Sequence, residues 1–86
     1  MRDLFWDEER ESHIARLGLR PEEVEEMFFG RNSITRVGRR RYRAIGQTQA
    51  GRYIVAIVER LDDDLFALIT ARDATQVELR KYQTRR

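Results

Sequence analysis

Eighty-six residues, 41% of them hydrophobic and 37% charged, can build one sheet covered by two or three helices but fall short of a two-domain protein. The absence of cysteine removes disulfides, thiolate nucleophiles and Cys-ligated zinc, and the single histidine, His13, cannot build a metal site alone, so neither metal nor cofactor is expected. The net charge of +2 hides a split: residues 1–30 carry nine acidic against four basic side chains, residues 31–86 thirteen basic against six acidic. Sixteen of the seventeen basic residues are arginine, whose planar fork matches phosphate or carboxylate two bonds at a time and suits RNA or an acidic protein partner. Solvated surfaces encoded by GC-rich codons would show the same bias. Residues 53–58, the longest apolar-rich stretch, are too few to span a membrane, and Met1-Arg2-Asp3 opens without the apolar core of a signal peptide. One cytoplasmic domain over residues 1–86, away from membranes, is the expectation.

In chain order, Asp7 can cap a helix that has Glu8 and Glu9 in its first turn and Ile14 and Leu17 at helical spacing before Gly18, so a helix is predicted over 7–17. Pro21 opens a second, with Val24, Met27 and Phe28 on one face and Gly30 after its end. The period then changes. β-Branched and aromatic residues alternate over 33–37, 41–48, 52–60 and 65–71, with turns at 49–51 and 62–64. In the third of these strands both faces are largely apolar, which predicts a central position covered on each side. Asp73 is the expected cap of a last helix over about 74–83, whose apolar residues are Val77, Leu79 and Tyr82. The fold class expected is α+β, with two N-terminal helices, a four-stranded antiparallel sheet and a C-terminal helix.

Several segments share a pattern. Phe5-Trp6-Asp7-Glu8 resembles an F-x-W-D opening, more tightly spaced; Gly18 with residues 21–28 resembles a second helix ending in an aromatic pair, here Phe28-Phe29. Arg43-Ala44-Ile45-Gly46-Gln47-Thr48 followed by Gly51-Arg52 resembles a hairpin of the form IG-x-T-x-x-G-R, and Val58-Glu59-Arg60 an x-E-R strand end. The most specific block is Ile69-Thr70-Ala71-Arg72-Asp73-Ala74-Thr75 with Glu78 and Tyr82. Nearly end to end, the chain resembles the BrnT-type ribonuclease toxins of bacterial type II toxin–antitoxin pairs. That resemblance implies a RelE-like fold, RNA cleavage, inhibition by a ribbon-helix-helix antitoxin, and contact with operator DNA only through that antitoxin. Three features depart from the family. His13 stands at a position commonly Asn, Arg16-Leu17-Gly18 replaces Lys-His-Gly, and the segment between Asn32 and Tyr42 is short.

RNA cleavage without a metal needs a base for the ribose 2′-OH, an acid for the leaving oxygen and donors for the dianionic phosphorane. Given the resemblance, the candidates are Glu59 as base or orienter, Arg60 and Arg72 as phosphate clamps, and Tyr82 as acid or stacking platform; Arg39, Arg40, Arg41 and Arg43 are candidate RNA contacts. Each has a plainer alternative. Glu59 can form a cross-strand pair with Arg41, Tyr82 can be a core residue, and the arginine run can be solvated loop charge. In a regular hairpin Glu59 and Arg72 lie roughly 20 Å apart at strand rise, within reach of one RNA but not of one phosphate. A non-catalytic protein- or nucleic-acid-binding module of the same fold is the alternative function.

Overall fold

Along residues 3–85, the part of the chain that the computed structural model describes, five strands and three helices form. They are β1 (Asp3–Phe5), α1 (Glu8–Ala15), α2 (Pro21–Phe29), β2 (Asn32–Arg36), β3 (Arg41–Gln47), β4 (Tyr53–Arg60), β5 (Leu65–Asp73) and α3 (Gln76–Arg85). The α+β class stands, with a correction to the sheet. Its order is β1-β5-β4-β3-β2, and β1 runs parallel to β5 with Leu4 opposite Phe66, so the sheet is mixed and five-stranded. A strand therefore precedes α1, and it buries Leu4 in the core. β2 to β5 form the expected antiparallel meander, and β4 is its central strand.

The two apolar faces of β4 are both covered. Ile54, Ala56 and Val58 join Ala44, Phe66, Leu68 and Ala71 beneath Ile14 of α1 and Val24, Met27 and Phe28 of α2. Phe28 meets Phe66 edge-to-face at 5.6 Å, a favoured aromatic geometry. On the opposite face Ile45 and Val55 pack with Tyr82 of α3, flanked by Tyr53 and Ala74. α3 covers only part of that face, because Val77 is exposed and most of the helix is polar. No helix among the described residues is long and apolar enough to cross a membrane.

Local chemistry sets the helix ends. Asp7 caps α1 as expected, its carboxylate accepting the Arg10 N–H at 2.8 Å. Gly18, at φ +80°, supplies the left-handed residue after α1. Gly46 is needed for another reason. A Cβ there would lie 2.9 Å from the Arg31 carbonyl and from Met27 Cγ, so only glycine lets the α2–β2 connection lie directly on β3. The cap of α3 differs from the expectation: Thr75, not Asp73, occupies it. The Thr75 Oγ1 accepts the Glu78 N–H at 3.2 Å while the Glu78 carboxylate accepts the Thr75 N–H at 2.9 Å, a reciprocal capping box. Asp73 is instead the last residue of β5, where its carboxylate takes the Arg52 guanidinium at 2.6 and 3.1 Å.

One irregularity decides where the site lies. Val58 pairs with Leu68 but Ile57 pairs with Thr70, so Ile69 is an extra residue that makes a β-bulge. Without it, the register set by Glu59 opposite Ala67 would place Arg72 opposite Ile54, on the face covered by α1 and α2. The bulge moves Arg72 opposite Val55, on the α3 side, and turns Ala71 into the core. The Leu68 carbonyl at the bulge accepts the Arg10 Nε–H at 3.0 Å, tying α1 to the irregular strand.

Candidate functional site

The α3-side face of the sheet consists of cross-strand rows. Ser33, Ile45, Val55 and Arg72 form one; Thr35, Arg43 and Ile57 the next, ending at the bulge, where Thr70 bonds His13 of α1; Arg41, Glu59 and Ala67 the third. Tyr82 and Ala74 pack on the first row, against Ile45 and Val55. In the other two, Arg41 is exposed and Arg43 and Glu59 are half-buried, while Ala67 is buried. This is the basic side of the sheet. Glu59 stands opposite Arg41 in the expected register, yet among the described residues no ion pair or hydrogen bond joins them. Arg43 lies one row from Glu59 on one side and one row from Arg72 on the other.

At the α3 end the geometry is tighter. Arg72 donates two parallel bonds to the Glu78 carboxylate, both at 2.7 Å, and a third to the Asp73 carbonyl at 3.2 Å. Arg43 approaches the same carboxylate at 3.9 Å. The Arg72 hydrogen bonds, reinforced by the Thr75 N–H, overcome partial burial and hold the Glu78 carboxyl down at about 2, and Glu78 in turn raises Arg72. Beside this cluster Ser33, Thr35, Ile45, Lys81 and Tyr82 line a small pocket of about 110 Å³. Nothing in the sequence pattern singled out Lys81 or Ser33. The capping box Thr75-x-x-Glu78 was the available signal for Glu78.

The other expected residues divide. Tyr82, expected as acid or stacking platform or else as a core residue, is only 4% exposed, packs in the α3-side core and meets Tyr53 edge-to-face, its hydroxyl donating to the Arg31 carbonyl at 3.4 Å. Arg60 lies on the helix-side face near the β4–β5 turn, bonded to Asp63 at 2.9 Å, and is not brought to Glu59 or Arg72. Arg39 and Arg40 occupy the β2–β3 turn; Arg41 and Arg43 follow on β3. Glu59 and Arg72 lie four residues apart along β4, about 13 Å at strand rise, closer than a regular hairpin gives but still too far to share one phosphate. His13 sits on α1, its Nε2 3.0 Å from Thr70 Oγ1. Among the described residues no cluster of three histidine or acidic side chains is placed to hold a metal.

Away from this face, Arg52 is a clamp. It bonds Asp73 on β5, the Gly18 carbonyl at 2.9 Å and the Glu23 carboxylate at 3.2 Å, and so holds α2 and the α1–α2 connection to the sheet. It keeps Asp73 below its usual range. Burial alone would raise Glu23, but the Arg20 N–H and the Arg52 guanidinium outweigh it and lower that group too. A pH dependence follows. Carboxyls with depressed folded pKa values stabilise the fold above their unfolded values near 4 to 4.5 and lose that contribution as the pH falls toward the folded ones, about 2 for Glu78. With Arg72 half exposed to screening water, Glu78 contributes about 1–2 kcal/mol. Urea unfolding followed from pH 7 to pH 2 should show stability falling through this window. Glu78→Gln, which keeps a side chain suited to the capping box, should reduce the slope; an unchanged slope would remove Glu78 from the linkage.

No protein-family model and no curated protein matches the chain. Among solved structures, the crystal structure of the Brucella abortus ribonuclease toxin, BrnT, aligns over 88% of this chain and 100% of that one, at a TM-score of 0.68 and 24% sequence identity. The chain has the BrnT fold. The alignment extends over the toxin's whole length, which supports the α+β architecture with the mixed five-stranded sheet described above.

Proposed function

We propose that this chain is a single-domain endoribonuclease toxin of a type II toxin–antitoxin pair. The observation that carries the reading is the uncovered sheet face with Arg41, Arg43 and Glu59 in adjacent rows, on a fold shared with a protein described as a ribonuclease toxin. Glu59 accepts the proton of a ribose 2′-OH, which attacks the neighbouring phosphorus and displaces the 5′-oxygen. Arg41 and Arg43 donate to the phosphorane oxygens as charge builds, and the leaving oxygen takes a proton from water on this open face. Arg72, oriented by Glu78, grips an adjacent phosphate. The partner that silences the chain is a ribbon-helix-helix antitoxin whose carboxylates cover the same arginines, and operator DNA is reached only through it.

A specific observation also favours the second reading, a binding module without catalysis. The Arg72 fork is occupied by Glu78, and the one histidine bonds Thr70 from α1. One experiment separates the two. Purified protein is incubated with single-stranded RNA in chelator, and the products are analysed for 2′,3′-cyclic phosphate ends. Cleavage that stops when the target ribose is 2′-deoxy supports the nuclease; tight binding of intact RNA without cleavage supports the module.

A further inference from the structure

At the far end of the sheet, the β2–β3 turn (residues 37–40) and the β4–β5 turn (residues 61–64) lie side by side, joined by a bond of 2.7 Å from the Arg60 N–H to the Arg40 carbonyl. Between them lies a pocket of about 360 Å³ lined by four arginines, Arg36, Arg39, Arg40 and Arg60, with Tyr42 and two carboxylates, Asp62 and Asp63. It opens on the side away from Arg41 and Arg43, since Arg36 pairs with Tyr42, whose ring meets the core residue Phe66 at 5.9 Å.

Three of these arginines are held differently from the arginines that brace the fold. Arg10, Arg52 and Arg72 are each bonded to a carboxylate. In the pocket, Arg36 is ordered by neutral carbonyls, those of Gly38 at 3.0 Å and Arg39 at 2.7 Å, and Arg40 by the Arg60 carbonyl at 3.3 Å. Neutral acceptors fix a guanidinium without cancelling its charge and leave most of its five N–H groups unused. Arg39 has no side-chain partner among the described residues. Of the four, Arg60 alone is paired with a carboxylate among the described residues, that of Asp63, which is 90% exposed, while Asp62 turns its own to the Asp63 N–H at 2.8 Å. Positive charge is thus concentrated and pre-oriented around an open volume.

We infer that this turn-end pocket is a second phosphate site, gripping the backbone of single-stranded RNA beyond the segment that lies on Glu59. The inference rests on the nuclease reading for its ligand. Continuity supports RNA over an acidic peptide: Arg40 borders the pocket, and the next residue, Arg41, with Arg43 two further on, projects from the opposite face of the same strand. A strand leaving the pocket around the turn end meets both. The Arg fork accepts successive phosphates without reading bases, so the site adds affinity and no sequence preference.

The test uses a single-stranded oligonucleotide with 2′-O-methyl riboses, which cannot be cleaved through the 2′-OH, and measures affinity against salt. Arg39→Ala with Arg40→Ala should lower the slope of log K on log salt by about 0.7 for each phosphate that is no longer neutralised, and the paired lysine substitutions should largely keep it. With a dinucleotide too short to reach the pocket, wild type and the alanine variant should agree. Arg39→Ala alone breaks no bond of the fold and guards against unfolding. An unchanged slope with the long oligonucleotide, or competition for the pocket by polyglutamate with no change in that slope, overturns the proposal. If the wild type binds and the slope falls but RNA is never cleaved, the nuclease reading fails and the second phosphate site stands. If it binds no oligonucleotide, both fall.

Discussion

Replacing Arg43 with alanine is expected to lower the rate of RNA cleavage by roughly 10²–10³-fold, the effect of removing one preorganised donor to a developing oxyanion, about 2.7–4 kcal/mol. Arg43 owes this prominence to the register: it stands one row from Glu59, one row from Arg72, and 3.9 Å from the Glu78 carboxylate that fixes Arg72. It is the one arginine able to serve either end of the face. The fold should survive, because the side chain is half-exposed on the sheet and its one ion pair among the described residues is that long approach. Single-turnover cleavage rates measure the loss, with circular dichroism confirming structure. Glu59→Gln and Arg72→Ala then locate the chemistry. Loss of the base should cost roughly 10²–10⁴ in rate, whereas Arg72→Ala should chiefly weaken RNA binding. A folded Arg43→Ala protein that cleaves at the wild-type rate would move the site off this face.

The largest loss of stability should come from Phe28→Ala. Phe28 is fully buried, packs edge-to-face on Phe66 and on Phe29, and joins α2 to the sheet. Truncating such a ring removes its transfer free energy and leaves a cavity, together about 3–5 kcal/mol. A domain of this size commonly has only about 5–15 kcal/mol in total. The midpoint of thermal unfolding should fall by more than about ten degrees, at about 4–8 °C per kcal/mol. A drop of only a few degrees would show that α2 contributes little to the fold, contrary to its buried position.

Much of this architecture was legible in the residues. Alternation placed β2 to β5 to within two residues, the doubly apolar pattern of residues 53–58 put β4 at the centre, and Asp7, Gly18 and Pro21 marked helix ends. β1 escaped because three residues with one buried leucine carry no period, and only pairing with β5, far along the chain, gives them a strand conformation. The bulge escaped because residues 65–71 read as one apolar run and Ile69 has no glycine to mark it. That single extra residue decides which face Arg72 occupies, so the site depended on the feature hardest to read. The cap of α3 was in the sequence: Thr75-x-x-Glu78 is a capping-box signature, and Asp73 competed with it only as a residue of the right type.

The parallel pairing of β1 with β5 has a consequence for how the molecule assembles. β2 to β5 are joined by short turns, so their pairings close small loops and can form early. The β1 seam joins Asp3 to Leu65 and is only three residue pairs long. Closing the long loop between them costs more entropy than closing any of the turns. Because its partner lies about sixty residues further along, β1 is expected to be fastened late, and during synthesis it has no β5 to pair with until that strand has emerged.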